Sequence, residues 1–173
     1  MKAIRFFLLI LLVVSCNAPR SFIDYDEQVN FSVITSYNVY PELQTGLSEL
    51  DQERLIRSLE AGFKEEGLTP SPQPDILVNV YSEEFLEQSG NSLGIGVGGT
   101  GRNVGVGISG GIPLGGPETW LSLTFDIIDA EKDELIWQSV VQSKFDKNAS
   151  PEERQIIFDR MVAKALEDFP PKS

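Results

Sequence analysis

Trp120-Leu121-Ser122-Leu123-Thr124-Phe125-Asp126-Ile127 alternates large apolar residues with small or polar ones. In an extended strand Leu121, Leu123, Phe125 and Ile127 fall on one side, and Ser122, Thr124 and Asp126 on the other. The charged run Asp129-Ala130-Glu131-Lys132-Asp133 breaks the alternation as a turn. A second strand then sets Leu135, Trp137, Val141 and Phe145 on a shared side. Two such strands on a short turn make an antiparallel hairpin with one face to bury. Other parts of the chain must cover that face.

Two segments have the pattern of a cover. Ser150-Pro151-Glu152-Glu153 is a capping box with Pro at the first helical position. Ile157, Met161, Ala165 and Phe169 follow as an apolar stripe, and Pro170-Pro171 ends the helix. Upstream, Ser48-Glu49-Leu50-Asp51 is a similar start, with Asp in place of the usual Glu or Gln. Leu55, Ile56, Leu59 and Phe63 share a helical face, and Gly67 supplies a stop, so a helix is expected over 49–66.

Two more strands flank that helix. Phe31, Val33, Thr35, Tyr37 and Val39 alternate with Ser32, Ser36 and Asn38 until Pro41. Asp75 to Tyr81 carries little polarity and is expected to be central in a sheet, after a Pro-punctuated loop from Thr69 to Pro74. Residues 90–116 hold twelve of the 15 glycines. There Leu93, Ile95 and Val97 alternate with Gly94, Gly96 and Gly98, and Val104, Val106 and Ile108 with Gly105, Gly107 and Ser109. The stretch reads either as a hairpin with one aliphatic and one nearly bare face, or as a glycine-rich loop insertion, since glycine weakens strands by entropy.

The fold class is α+β: a mostly antiparallel sheet of about four to six strands with two helices on one face. The expected order is strand, helix, strand, glycine-rich hairpin, strand, strand, helix. Residues 30–173 are taken as a single domain, residues 16–29 as a linker that starts at Cys16, and residues 1–15 as a leader.

The leader decides location. Lys2 and Arg5 precede nine apolar residues, Phe6 to Val14, and then Ser15-Cys16. That is a secretory signal, and nine helical residues cover only about half of a ~30 Å hydrocarbon core. Val13-Val14-Ser15-Cys16 resembles the bacterial lipobox, in which the Cys receives lipid and becomes the first residue. Multiple acyl chains on Cys16 anchor a protein stably. Asn17, rather than Asp, after the Cys permits release to the outer membrane by resemblance to lipoprotein sorting rules. No acidic run follows, so a periplasm-facing protein is expected, with surface exposure the alternative. Loss of Lys2 and Arg5 takes the net charge from −12 to −14.

Composition excludes whole classes of function. The chain has no His and a single Cys, which removes Ser-His-Asp and Cys-His catalysis, His-ligated zinc and a disulfide framework. Twenty-six Asp+Glu against 14 Lys+Arg, with no basic run, argues against nucleic acid. Gly94 to Gly101 is not followed by a helix, so it is no dinucleotide loop. The Asp126–Glu134 carboxylates lack EF-hand spacing and read as a solvated turn. Asp24 and Asp26 read as part of a polar linker. Trp120, Trp137, Tyr37 and Tyr81 read as packing residues rather than a sugar platform. Asn148-Ala149-Ser150 fits a glycosylation sequon, but Ser150 is better explained as a helix cap.

Several strings together resemble the bacterial lipoprotein family catalogued as domain of unknown function number 4136. They are Tyr25-Asp26, Asn30-Phe31-Ser32 through Tyr37, Ala61-Gly62-Phe63, Pro74-Asp75-Ile76-Leu77-Val78, Asp126-Ile127-Ile128-Asp129-Ala130 with Leu135-Ile136-Trp137, and Phe169-Pro170-Pro171. Tyr40 departs from the family's more frequent Trp, and Gln138-Ser139 from Trp-Arg-Gly. The resemblance covers 24–171 and implies an envelope lipoprotein without established activity. It carries over no catalytic or binding residue.

The sequence therefore leads to a non-enzymatic binding or structural module without cofactor or metal. Its membrane contact is the lipid on Cys16. Gly94, Gly96, Gly105 and Gly107 are its candidate contacts to an envelope protein. A small-ligand or divalent-cation module using the acidic surface is the alternative.

Overall fold

The computed structural model describes residues 18–41, 43–88, 92–93, 112–113 and 116–171. A six-stranded sheet is built from β1 (Arg20–Tyr25), β2 (Ser36–Val39), β3 (Thr69–Pro70), β4 (Ile76–Gln88), β7 (Pro117–Asp129) and β8 (Glu134–Lys144). Two short strands, β5 (Ser92–Leu93) and β6 (Ile112–Pro113), pair apart from it. The helices are α1 (Glu49–Glu65) and α2 (Pro151–Leu166). The strand order is β1-β8-β7-β4-β2-β3. The architecture is the expected α+β one, with antiparallel pairing throughout except at β2. Because α1 follows β2, the chain returns to the same end of the sheet, and β2 pairs parallel with both β3 and β4.

The alternation in the β7–β8 hairpin does what it implies. Leu121, Leu123, Phe125 and Ile127 are buried with Trp137 and Val141 beneath both helices. Leu55, Leu59 and Phe63 of α1 and Phe158, Met161, Val162 and Ala165 of α2 meet them. Leu135 departs from its expected side. A register shift at Ile127/Ile128 pairs Ile128 with Leu135 and turns Leu135 outward, where it is 52% exposed.

The N-terminal region also differs from its sequence reading. Six of the residues taken as linker form β1, which pairs along β8 from Arg20↔Gln142 to Tyr25↔Trp137. The strand expected from Phe31 begins only at Ser36. The Asn30 side chain accepts from the Ser32 amide and hydroxyl, starting a 3-10 turn over Phe31–Val33 that buries Phe31 and leaves Val33 outside. β4 runs on past Tyr81 to Gln88.

Helix ends follow local chemistry. Ser150 and Glu153 form the reciprocal capping box, and Ser48 caps α1 through the Asp51 amide. Gly67 adopts φ +83 after α1, and the Leu68 amide donates to the Phe63 carbonyl at 2.9 Å, closing the helix. Gly62 lets the two helices approach: a Cβ there would stand 2.8 Å from Leu166 Cδ1. Between the helices, buried Asp51 accepts from Arg54 at 2.8 Å and from Arg154, so its desolvation is offset by two guanidinium groups.

Two long-range devices hold the sheet to the rest. The first is aromatic. Phe169 lies edge-on to Phe31, Phe63 and Trp137, with centroids at 6.1, 6.2 and 5.4 Å. Phe63 also packs on Tyr37 at 4.6 Å, and Phe31 on Tyr25 at 6.1 Å. The second is Asp75. Its Oδ2 accepts from the amides and hydroxyls of both Thr35 and Ser36 at 2.9–3.1 Å, tying β2 to the start of β4. These donors, the Thr35 amide foremost, hold the Asp75 carboxyl below its usual pKa of 3.8.

Phe169→Ala is expected to cost about 4 kcal/mol and lower Tm by about 10 °C. Leu50→Ser, at a 62% exposed helix position, is the matched control and should leave Tm almost unchanged. A differential scan of both variants checks this.

A carboxylate whose folded pKa is lowered contributes stability above its unfolded pKa and loses it as pH falls through the folded value. Asp75→Ala should therefore be less stable than the parent near neutral pH. The gap should persist down to 3.8 and narrow only below it. Denaturant titrations across the acid range check this, and a gap that does not depend on pH would show that the carboxylate charge is irrelevant.

Candidate functional site

Cys16, Gly94, Gly96, Gly105 and Gly107 lie outside the described residues. The ends of the glycine-rich stretch lie inside them. Ser92 pairs with Pro113 and Leu93 with Ile112 in antiparallel register, so the chain leaves and returns side by side. It departs from Gln88 of β4 and comes back to Pro117 of β7, which are themselves paired.

At the opposite end of the sheet is a cleft of about 600 Å³. Asp26, Asp75, Asp129, Glu131 and Glu134 line it, with Lys132 among them. The acidic turn and Asp26, expected to be a solvated turn and part of a polar linker, lie here, and several of these acids have hydrogen-bond partners. Asp75 is engaged by Thr35 and Ser36. Asp26 accepts from the Gln28 amide at 2.8 Å. Asp129 accepts from the amides of Glu131 and Lys132 at 3.0 Å each and lies 3.8 Å from the Lys132 ammonium. Asp24 accepts from the Tyr25 amide at 3.0 Å. These carboxylates organise turns. Among the described residues no group of three Asp, Glu, Cys or His side chains is placed to hold a metal ion.

The four aromatic candidates separate. Tyr37 and Trp137 are core residues at 3% and 1% exposure. Burial, with Glu60 nearby, pushes the Tyr37 phenol above its ordinary pKa of 10.0, so it stays neutral in the core. Trp120 and Tyr81 lie on the sheet face away from the helices. There Phe22, Val140, Thr124 and Tyr81 stand in one row across β1, β8, β7 and β4. Next to it the Trp120 ring stacks on Phe85, centroids 6.4 Å apart, with the Arg20 guanidinium 4.8 Å above it.

Arg20, the first residue of β1, lies towards the end of the sheet where β4 finishes at Gln88. Its guanidinium reaches Glu87 on β4 at 3.4 Å. Lys144 pairs with Glu118 at 2.7 Å and Lys147 with Glu84 at 2.5 Å on the same end. Phe85 and Leu86 are exposed there at 36% and 68%, and Phe22, nearer the middle of the sheet, at 64%. The sequence did not point to this grouping. Its members are spread over four strands and a loop, and only the register brings them together.

The structure resembles several solved proteins at low identity. A PDZ domain protein from Parabacteroides distasonis matches with TM-score 0.48 and 14% identity over 96% of this chain, which spans 40% of that one. The PelC dodecamer from Paraburkholderia phytofirmans matches with TM-score 0.45 and 11% identity over 90% of this chain and 99% of that one. A minor lipoprotein from Acinetobacter baumannii matches with TM-score 0.35 and 12% identity over 78% of this chain and 89% of that one. No curated protein matches by sequence. Residues 21–171 match the family described as Domain of unknown function (DUF4136), and the chain belongs to that family.

Proposed function

We propose that this protein is a lipid-anchored component of the bacterial cell envelope. In this reading it is acylated on Cys16, held at the outer membrane and periplasm-facing, and it acts by binding another envelope component rather than by catalysis. The observation that carries the reading is the lipobox-like Val13-Val14-Ser15-Cys16 placed just ahead of the folded domain, whose first strand starts at Arg20. The engagement of Asp26 and Asp129 in turns and of Asp75 in the tie between β2 and β4 supports a binding module over a hydrolase built on these acids. It also counts against the cation-binding alternative.

The partner contact is assigned to the glycine-rich segment through Gly94, Gly96, Gly105 and Gly107. Alternating glycines remove side chains from one face of an extended chain and allow another backbone to come close. The test is cross-linking and co-purification from intact membranes with a C-terminally tagged protein. A specific partner is expected with the parent chain, and replacing those four glycines by Thr should abolish its capture while Tm stays the same. Capture that survives the four substitutions would overturn the assignment.

A further inference from the structure

We infer that the Arg20 end of the sheet rests on the lipid surface that holds Cys16, with Phe85 and Leu86 entering the interfacial region. The inference rests on acylation of Cys16 and goes beyond it, because a lipid anchor alone leaves orientation free.

The length of chain outside the domain sets the geometry. Four residue steps separate Cys16 from Arg20, a reach of at most about 14 Å when fully extended. Arg20 is fixed in the sheet by its pairing with Gln142. It is therefore confined close to the bilayer. Arg20 is level with Ser122 and Glu83 across the sheet, and β4 continues five residues beyond Glu83, about 17 Å. The side of the domain within reach of the membrane is thus the one that carries Phe85 and Leu86.

That end has the character of an interfacial surface. Leu86 is 68% exposed there, and Phe85 stands beside the Trp120–Arg20 stack. Aromatic and aliphatic side chains with Arg and Lys around them suit the headgroup boundary. Arg20, Lys144 and Lys147 are each ion-paired with a carboxylate, which leaves Glu83 and Asp146 as the exposed acids there and makes this end less acidic than the other. At the far end Asp26, Glu131, Asp133 and Glu134 are exposed with Lys132 the nearby cation. An anionic lipid surface repels that end more strongly than the Arg20 end.

The experiment uses the full, lipidated chain in vesicles of equal parts phosphatidylethanolamine and phosphatidylglycerol. Nitroxide labels are placed at Leu86→Cys and, separately, at Glu131→Cys, and intact mass records acylation of Cys16 in each sample. Collision with oxygen relative to a water-soluble nickel reagent should be several-fold higher at position 86 than at 131. Equal, water-like values at both positions in an acylated protein would overturn the seating and leave the anchor standing. A protein without acyl mass would overturn both.

Discussion

Everything in this fold converges on the ring of Phe169. It is the last large apolar residue of the chain, and it meets Phe31 from the N-terminal region, Phe63 from α1 and Trp137 from β8. One buried side chain therefore joins both ends of the domain to its helix layer and its sheet. Without it the end of α2 would keep its contact with α1 at Gly62 but lose its link to the sheet through Trp137, and Phe31 would lose a ring contact in the core. The scattered strings that carry the family resemblance acquire a physical meaning here. Tyr25, Phe31, Tyr37, Phe63, Trp137 and Phe169 belong to one chain of ring contacts, although they are far apart in sequence.

Much of the architecture was legible because local signals agreed with the global fold. The period-two pattern of Leu121 to Ile127, the two Ser caps and the Gly67 stop each act within a few residues, and each appears where the spacing places it. The misreadings share a cause: they depend on partners distant in sequence. β1 is half exposed and owes its existence to pairing with β8, so its own composition resembles a linker. Asn30 diverts the chain by one side-chain hydrogen bond, which an alternating pattern does not reveal. A register shift turns Leu135 away from the core.

The candidate site was legible to a different degree. The lipobox resemblance is a linear signal and is read from the first sixteen residues alone. The acidic turn was legible as a turn, and Asp26, Asp75 and Asp129 each accept from nearby backbone amides. The apolar, ion-paired end around Arg20 was not readable, because Arg20, Phe85, Trp120 and Lys144 come together only through strand register. The domain thus has two unlike ends. One lies within a short tether of Cys16, and the glycine-rich stretch departs from strands that end there. The other is acidic and points away.

The central claim is that this domain is fastened to a bilayer through Cys16. The most direct measurement is the intact mass of the tagged protein extracted from its own membranes. The account predicts a chain that begins at Cys16, lacks residues 1–15 and carries the added mass of acyl chains on that residue. A chain that retains residues 1–15, or one cut at the same place without acyl mass, would contradict it.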